Sequence, residues 1–222
     1  MLSPCVVSRL SLTLVALAGL ATAAQGGFVS VSQPNASYLA STAKFAIPNS
    51  GPALSSLTER DLTITFSKPM TPFAAGRIRW GNPPVVEDSA PTTLYSQQQS
   101  SRVLTFSQPL QTFGAEMLPN FTVFFPATLT AQFFDGTTLV GTIHRSVSEF
   151  GPARLFAGTD TDIPFTSVQL SSPSSTFGFF IADVRAEIAT PEPASLGLFG
   201  PALLGVIGYG WRRRAGGRGL RG

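Results

Sequence analysis

The chain holds one cysteine, Cys5, and one histidine, His144, in 222 residues. That scarcity excludes a zinc finger, a structural cysteine cluster and a disulfide framework, each of which needs several such side chains. Charge is also scarce, at 12% of residues, too little for a long coiled coil or for a chain kept open by its own repulsion. Glycine follows no collagen period. Tryptophan and tyrosine are few, at two and three, but phenylalanine reaches 18 and hydrophobic residues make up 43%. A chain of this length has room for one domain with a sizeable core. Seventeen of the phenylalanines lie between residues 25 and 189, and most must build that core, since so many exposed rings would aggregate.

The formal net charge of +3 suggests a basic protein with an anionic partner until the charges are located. From Gln25 to Thr190 there are nine Lys and Arg against eleven Asp and Glu, a net of two negative charges. The positive excess sits at the ends, in Arg9 and in Arg212, Arg213, Arg214, Arg218 and Arg221. Nucleic acid is therefore not an expected partner.

Residues 1–24 read as a secretory signal peptide. Arg9 precedes an apolar run from Leu10 to Leu20 that is too short to span a bilayer, and small residues follow, with cleavage expected after Ala23 or Ala24. Cys5 lies before the apolar run, whereas a lipoprotein cysteine would lie after it. Removal of the signal by signal peptidase would leave a mature chain without cysteine, stabilised by packing alone.

At the other end, Pro191-Glu192-Pro193 (motif 190–193 with Thr190) precedes an uncharged stretch, 194–211, and a basic tail, 212–222. Eighteen helical residues reach roughly 27 Å, slightly short of a hydrocarbon core of about 30 Å. The stretch is expected to be a transmembrane helix, with Arg212, Arg213 and Arg214 as the cytoplasmic stop signal and Tyr209 and Trp211 at the interface. The prolines fix φ and push the residues before them into extended conformations, so the motif suits recognition as an extended strand. A plain linker before a permanent anchor is the simpler alternative.

Motif, apolar span, arginine cluster and signal peptide together resemble the PEP-CTERM sorting signal of exported proteins in Gram-negative bacteria. A tail of this kind is also labelled an ice-binding-protein C-terminal domain, which describes the tail and carries no implication of ice binding. The resemblance implies recognition through Pro191, Glu192 and Pro193 by exosortase, a membrane transpeptidase-like protease of bacteria that make exopolysaccharide. The basic tail runs eight residues past Arg214, longer than the usual cluster.

Between these segments, 25–189 reads as an exported all-β domain, with short alternating apolar runs separated by turn residues. Leu62, Ile64 and Phe66 alternate with threonines, and Ile78 and Trp80 with arginines. Further runs cover 121–125, 129–134 and 138–144, with Asp135-Gly136 as a hairpin turn signal. In the last run Phe180, Ala182, Val184, Ala186 and Ile188 are expected inward, with Asp183, Arg185 and Glu187 outward. One dry and one wet face per strand implies an antiparallel β-sandwich. Phe66-Ser67-Lys68-Pro69 is echoed by Phe106-Ser107-Gln108-Pro109, read as two strands ending at Phe and turning at Ser-x-Pro. The stretch from Leu104 to Ile188 resembles the jelly-roll ectodomains found ahead of this sorting signal; related sandwiches include carbohydrate-binding modules, which makes polysaccharide a candidate partner.

Chemistry is sparse. His144 closes a strand-like run, and no Gly-x-Ser-x-Gly elbow accompanies it, so it reads as a surface histidine. A glycosidase carboxylate pair would have to come from Asp160, Asp162, Asp183 and Glu187. Asp160-Thr161-Asp162 reads as a turn capped by its aspartate, with a structural Ca²⁺ site as the sharper alternative. Trp80, with Tyr38 and Tyr95, is a candidate platform for sugar rings, although its alternation with Ile78 favours the core. No cofactor, catalytic residue or metal ligand set is expected. The sequence therefore points to an exported, non-enzymatic cell-envelope protein, with a secreted carbohydrate-active hydrolase or a purely structural surface protein as alternatives.

Overall fold

The computed structural model describes residues 27–121, 126–148 and 150–189. The expected signal helix, the Pro-Glu-Pro motif, the apolar span and the basic tail lie outside the described residues, as does most of the 121–125 run. Among the described residues no helix is long and apolar enough to cross a membrane.

The structure is all-β. Strands β1 (Val29–Val31), β2 (Ala43–Lys44), β3 (Leu54–Glu59), β4 (Leu62–Phe73), β5 (Thr93–Tyr95), β6 (Ser101–Pro119), β7 (Ala127–Asp135), β8 (Thr138–Val147), β9 (Arg154–Thr159), β10 (Phe165–Ser171) and β11 (Phe179–Ile188) are joined by antiparallel pairing. A short helix, α1 (Ala36–Ser41), lies between β1 and β2, with the Asn35 side chain accepting from the Tyr38 amide.

Strand β6 organises the sheet. Its first half pairs with β4 on one side and β10 on the other, while its second half pairs with β11 and β9. Its burial changes with this role. Buried and less buried residues alternate from Ser101 to Phe106 and none of residues 107–109 is buried, but every residue from Thr112 to Pro119 is, as expected where both faces are covered. The hairpin β7–β8 closes over Asp135-Gly136, with Gly136 at φ 56°. Phe28 packs against Phe133 and Phe165 in a notch left by two glycines, since a methyl on Gly141 or Gly158 would overlap its ring.

Two sequence expectations need correction. Residues 77–80, read as alternating strand, lie in the irregular connection between β4 and β5. The Ser-x-Pro motifs are not turns either: β4 runs through Pro69 and β6 through Pro109. They end only the mutual pairing of β4 and β6, which covers Ile64–Phe66 against Leu104–Phe106. Beyond it the Ser107 hydroxyl accepts from the Thr63 amide and the Ser67 hydroxyl from the Val103 amide, so each motif satisfies a backbone donor of the other strand.

Candidate functional site

Where β11 pairs with the second half of β6, the fold gathers a group of ionisable side chains, of which Glu116 and Asp183 are buried. Ala182 lies opposite Glu116 and Arg185 opposite Gly114, with a register irregularity between them that contains Asp183. Asp183 has φ 47°, the left-handed region that an aspartate tolerates better than most residues. This local bend overturns the expected outward direction of Asp183: its side chain is 2% exposed. Arg185 and Glu187 remain half-buried, and Phe180, Ala182, Val184 and Ala186 are buried as expected, whereas Ile188, also expected inward, is exposed at the end of the strand.

Lys44, on the two-residue strand β2 beside β11, places Nζ 2.5 Å from Asp183 Oδ1 and 3.0 Å from Glu87 Oε1. Glu87 is also gripped by Arg185 through two bonds, Nε to Oε2 at 2.7 Å and a terminal nitrogen to Oε1 at 3.0 Å. The other terminal nitrogen of Arg185 donates to the carbonyls of Thr42 and Leu39, tying α1 to the sheet. Glu116, with no exposed surface, accepts from Trp80 Nε1 and from the Glu87 amide, each at 2.5 Å. Two buried polar atoms in this region, Asp183 Oδ2 and the Tyr38 hydroxyl, have no hydrogen-bond partner among the described residues.

Charge and burial set the protonation of this group. Burial, then the neighbouring Asp183 charge, pushes Glu116 up to about 8, so it is neutral at pH 7. Burial likewise raises Asp183, against the pull of Lys44. Burial would raise Glu87 too, but bonds from Arg185 and Lys44 hold it below the usual carboxylate range. Lys44, despite burial, is held above its ordinary value by Asp183 and Glu87.

The structure distributes the other candidates across the molecule. Trp80 has no exposed surface and Tyr38 is buried in a separate small cluster, so these two are core residues with no ring face open to sugar. Tyr95 is half-buried, stacks on Phe180 and donates its hydroxyl to the Phe177 carbonyl. Asp160 Oδ1 accepts from the amides of Asp162 and Ile163, a capped turn. Among the described residues no group of three His, Cys, Asp or Glu is arranged to hold a metal ion. Glu187 accepts from Thr112, and His144 sits on β8 opposite Thr130, in hydrogen-bond contact with its hydroxyl.

The site's central residues, Glu116, Glu87 and Lys44, were not singled out from sequence. Glu116 carries one signal, a lone carboxylate in an otherwise apolar run from Phe113 to Leu118. A surface cleft of about 860 Å³ lies nearby and is bounded by exposed Arg77, Arg79 and Phe150 together with Asn82 and Pro152.

No protein-family model matches the chain, and no curated protein matches it. Among solved structures, the enzymatically active domain of bacteriophage CBA120 tailspike protein 4 is similar over 58% of this chain, at 15% identity and a TM-score of 0.31. The chain spans 19% of that structure's length, and a likeness this slight carries no argument about fold or activity.

Proposed function

We propose that this chain is an exported, non-catalytic cell-envelope protein whose jelly-roll-like β-sandwich domain, 25–189, is delivered by a signal peptide and sorted by exosortase through Pro191, Glu192 and Pro193. The observation that carries the reading is the coincidence, in one sequence, of that motif with an apolar span, an arginine cluster and a signal peptide. The end of the described domain agrees with it. Strand β11 stops at Ile188, and Ala189 is still bonded to the Pro109 carbonyl. The motif begins at Pro191, two residues further along the chain. In this reading the span 194–211 holds the precursor in the membrane, with Arg212, Arg213 and Arg214 in the cytoplasm, until processing.

Polysaccharide is the partner class proposed for the domain. With Trp80 in the core, the contact surface shifts to the cleft bounded by Arg77, Arg79 and Phe150, where guanidinium groups and an exposed ring are available to a carboxylated sugar chain.

Fractionation of a host that carries exosortase, with one tag before Pro191 and another after Arg221, tests the sorting reading. The expected result is loss of the C-terminal tag from the accumulated species. A full-length membrane form as sole product contradicts it.

A further inference from the structure

The contact between Lys44 and Asp183 differs from a surface ion pair in three respects. Its N···O distance is 2.5 Å, the Asp183 side chain is almost wholly withdrawn from water, and the second carboxylate oxygen, Oδ2, is buried without a partner among the described residues. A carboxylate that keeps its charge in such surroundings ordinarily has both oxygens satisfied. The backbone that carries Asp183 is held at φ 47° inside a strand, a conformation retained only when the surrounding structure imposes it. The amine, on a side chain 39% exposed, is thus held against a fixed and shielded carboxyl, an arrangement that turns a slow bimolecular condensation into an intramolecular one.

We infer that Lys44 and Asp183 are a modification site, at which Nζ and Cγ join in an intramolecular amide that ties β2 to β11. The step balances within the pair. Nζ starts as an ammonium with three protons and Asp183 as a carboxylate. One proton crosses the short contact, and the amine lone pair attacks Cγ. The Nζ–Cγ bond forms and one Cγ–O bond breaks. The departing oxygen leaves as water with two of the three protons, and the third stays on the amide nitrogen. No oxidant, reductant or outside group is needed.

The surroundings favour the product. A charged pair with an unsatisfied oxygen becomes a neutral amide, which removes the desolvation cost of the buried charge. Glu116, in the same buried group, is neutral at pH 7 and adds no competing negative charge. Glu87, the other acid on Nζ, keeps Arg185 as its counter-ion after the reaction. Strand β2 holds its neighbour by two residue pairs alone, Lys44 with Arg185 and Ala43 with Ala186. A covalent link there closes nearly the whole described domain into one loop, the constraint a disulfide would impose. The described residues contain no cysteine to supply one.

Tryptic mapping of the full chain, purified and denatured before digestion, reads the bond directly. Trypsin does not cut at an acylated lysine, so the expected product is a branched peptide. It joins the segment that ends at Arg60 to residues 155–185, and is lighter than their sum by one water. In Lys44→Arg, which keeps the positive charge, the branched peptide disappears. Linear peptides alone from the native chain, one ending at Lys44 and one at Arg185 with unmodified masses, overturn the inference. So does persistence of a branch in Lys44→Arg.

Discussion

Replacing Glu116 by glutamine tests whether burial, rather than function at the surface, governs the charged group between β6 and β11. Both carboxyl oxygens accept from N–H donors, Trp80 Nε1 and the Glu87 amide. The neutral acid still accepts at both oxygens, but glutamine turns an NH₂ toward one of those donors. The expected loss at about pH 5 is about 1–3 kcal/mol, the usual cost of an unsatisfied buried group. The pH dependence then separates the two proteins. Glu116 is raised from 4.5 to about 8, so the folded state binds a proton that the unfolded state releases. Its contribution is fully present below the unfolded value and is lost as pH rises toward the folded one. At about 1.4 kcal/mol per pH unit, that interval corresponds to at most about 5 kcal/mol. Urea unfolding at about pH 5, 7 and 9 should show the native chain losing stability relative to Glu116→Gln, with the gap narrowing and then reversing. A constant gap across the range would refute the argument, because Glu116 would then ionise in the folded protein as it does in the unfolded chain.

Trp80→Phe removes the indole donor to Glu116 and should cost about 1–3 kcal/mol in urea unfolding, while Trp80→Ala should cost about 3–5 kcal/mol; an unchanged midpoint would return Trp80 to a surface role. Gly158→Ala places a methyl in the space of the Phe28 ring and should lower stability by about 1–3 kcal/mol in thermal melts, an effect that Phe28→Ala in the same chain should reduce. Arg102 is buried and donates to the carbonyls of Ser96, Pro69 and Ser101. Arg102→Met should therefore strand buried acceptors at a cost of about 1–3 kcal/mol in urea unfolding, and a neutral result would show that water reaches them.

Much of the architecture is legible in the alternation of apolar residues. Leu62 to Phe66, the 129–134 and 138–144 runs around Asp135-Gly136, and the closing run from Phe180 all fall in strands. What alternation misjudges has local causes. Arg77 to Trp80 imitates a strand, but an irregular connection buries Trp80 by giving its indole N–H to Glu116. Asp183 follows the outward parity until a register irregularity and a left-handed φ turn it inward. The Ser-x-Pro motifs mark the point where β4 and β6 part, and their reciprocal serine contacts depend on a pairing forty residues apart that no local pattern encodes. The charged group was invisible for the same reason. Lys44, Glu87, Glu116, Asp183 and Arg185 are scattered in sequence, and only the pairing of β11 with β6 and β2, together with the β4–β5 connection that carries Glu87, collects them.

Sorting is the central claim, and the C-terminus of the mature protein tests it most directly. Mass spectrometry of the chain isolated from a host with active exosortase should find a terminus at or near Pro191–Pro193, with the span 194–211 and the arginines beyond it removed or exchanged. A mature protein that retains the sequence through Gly222 as its only form would contradict the account.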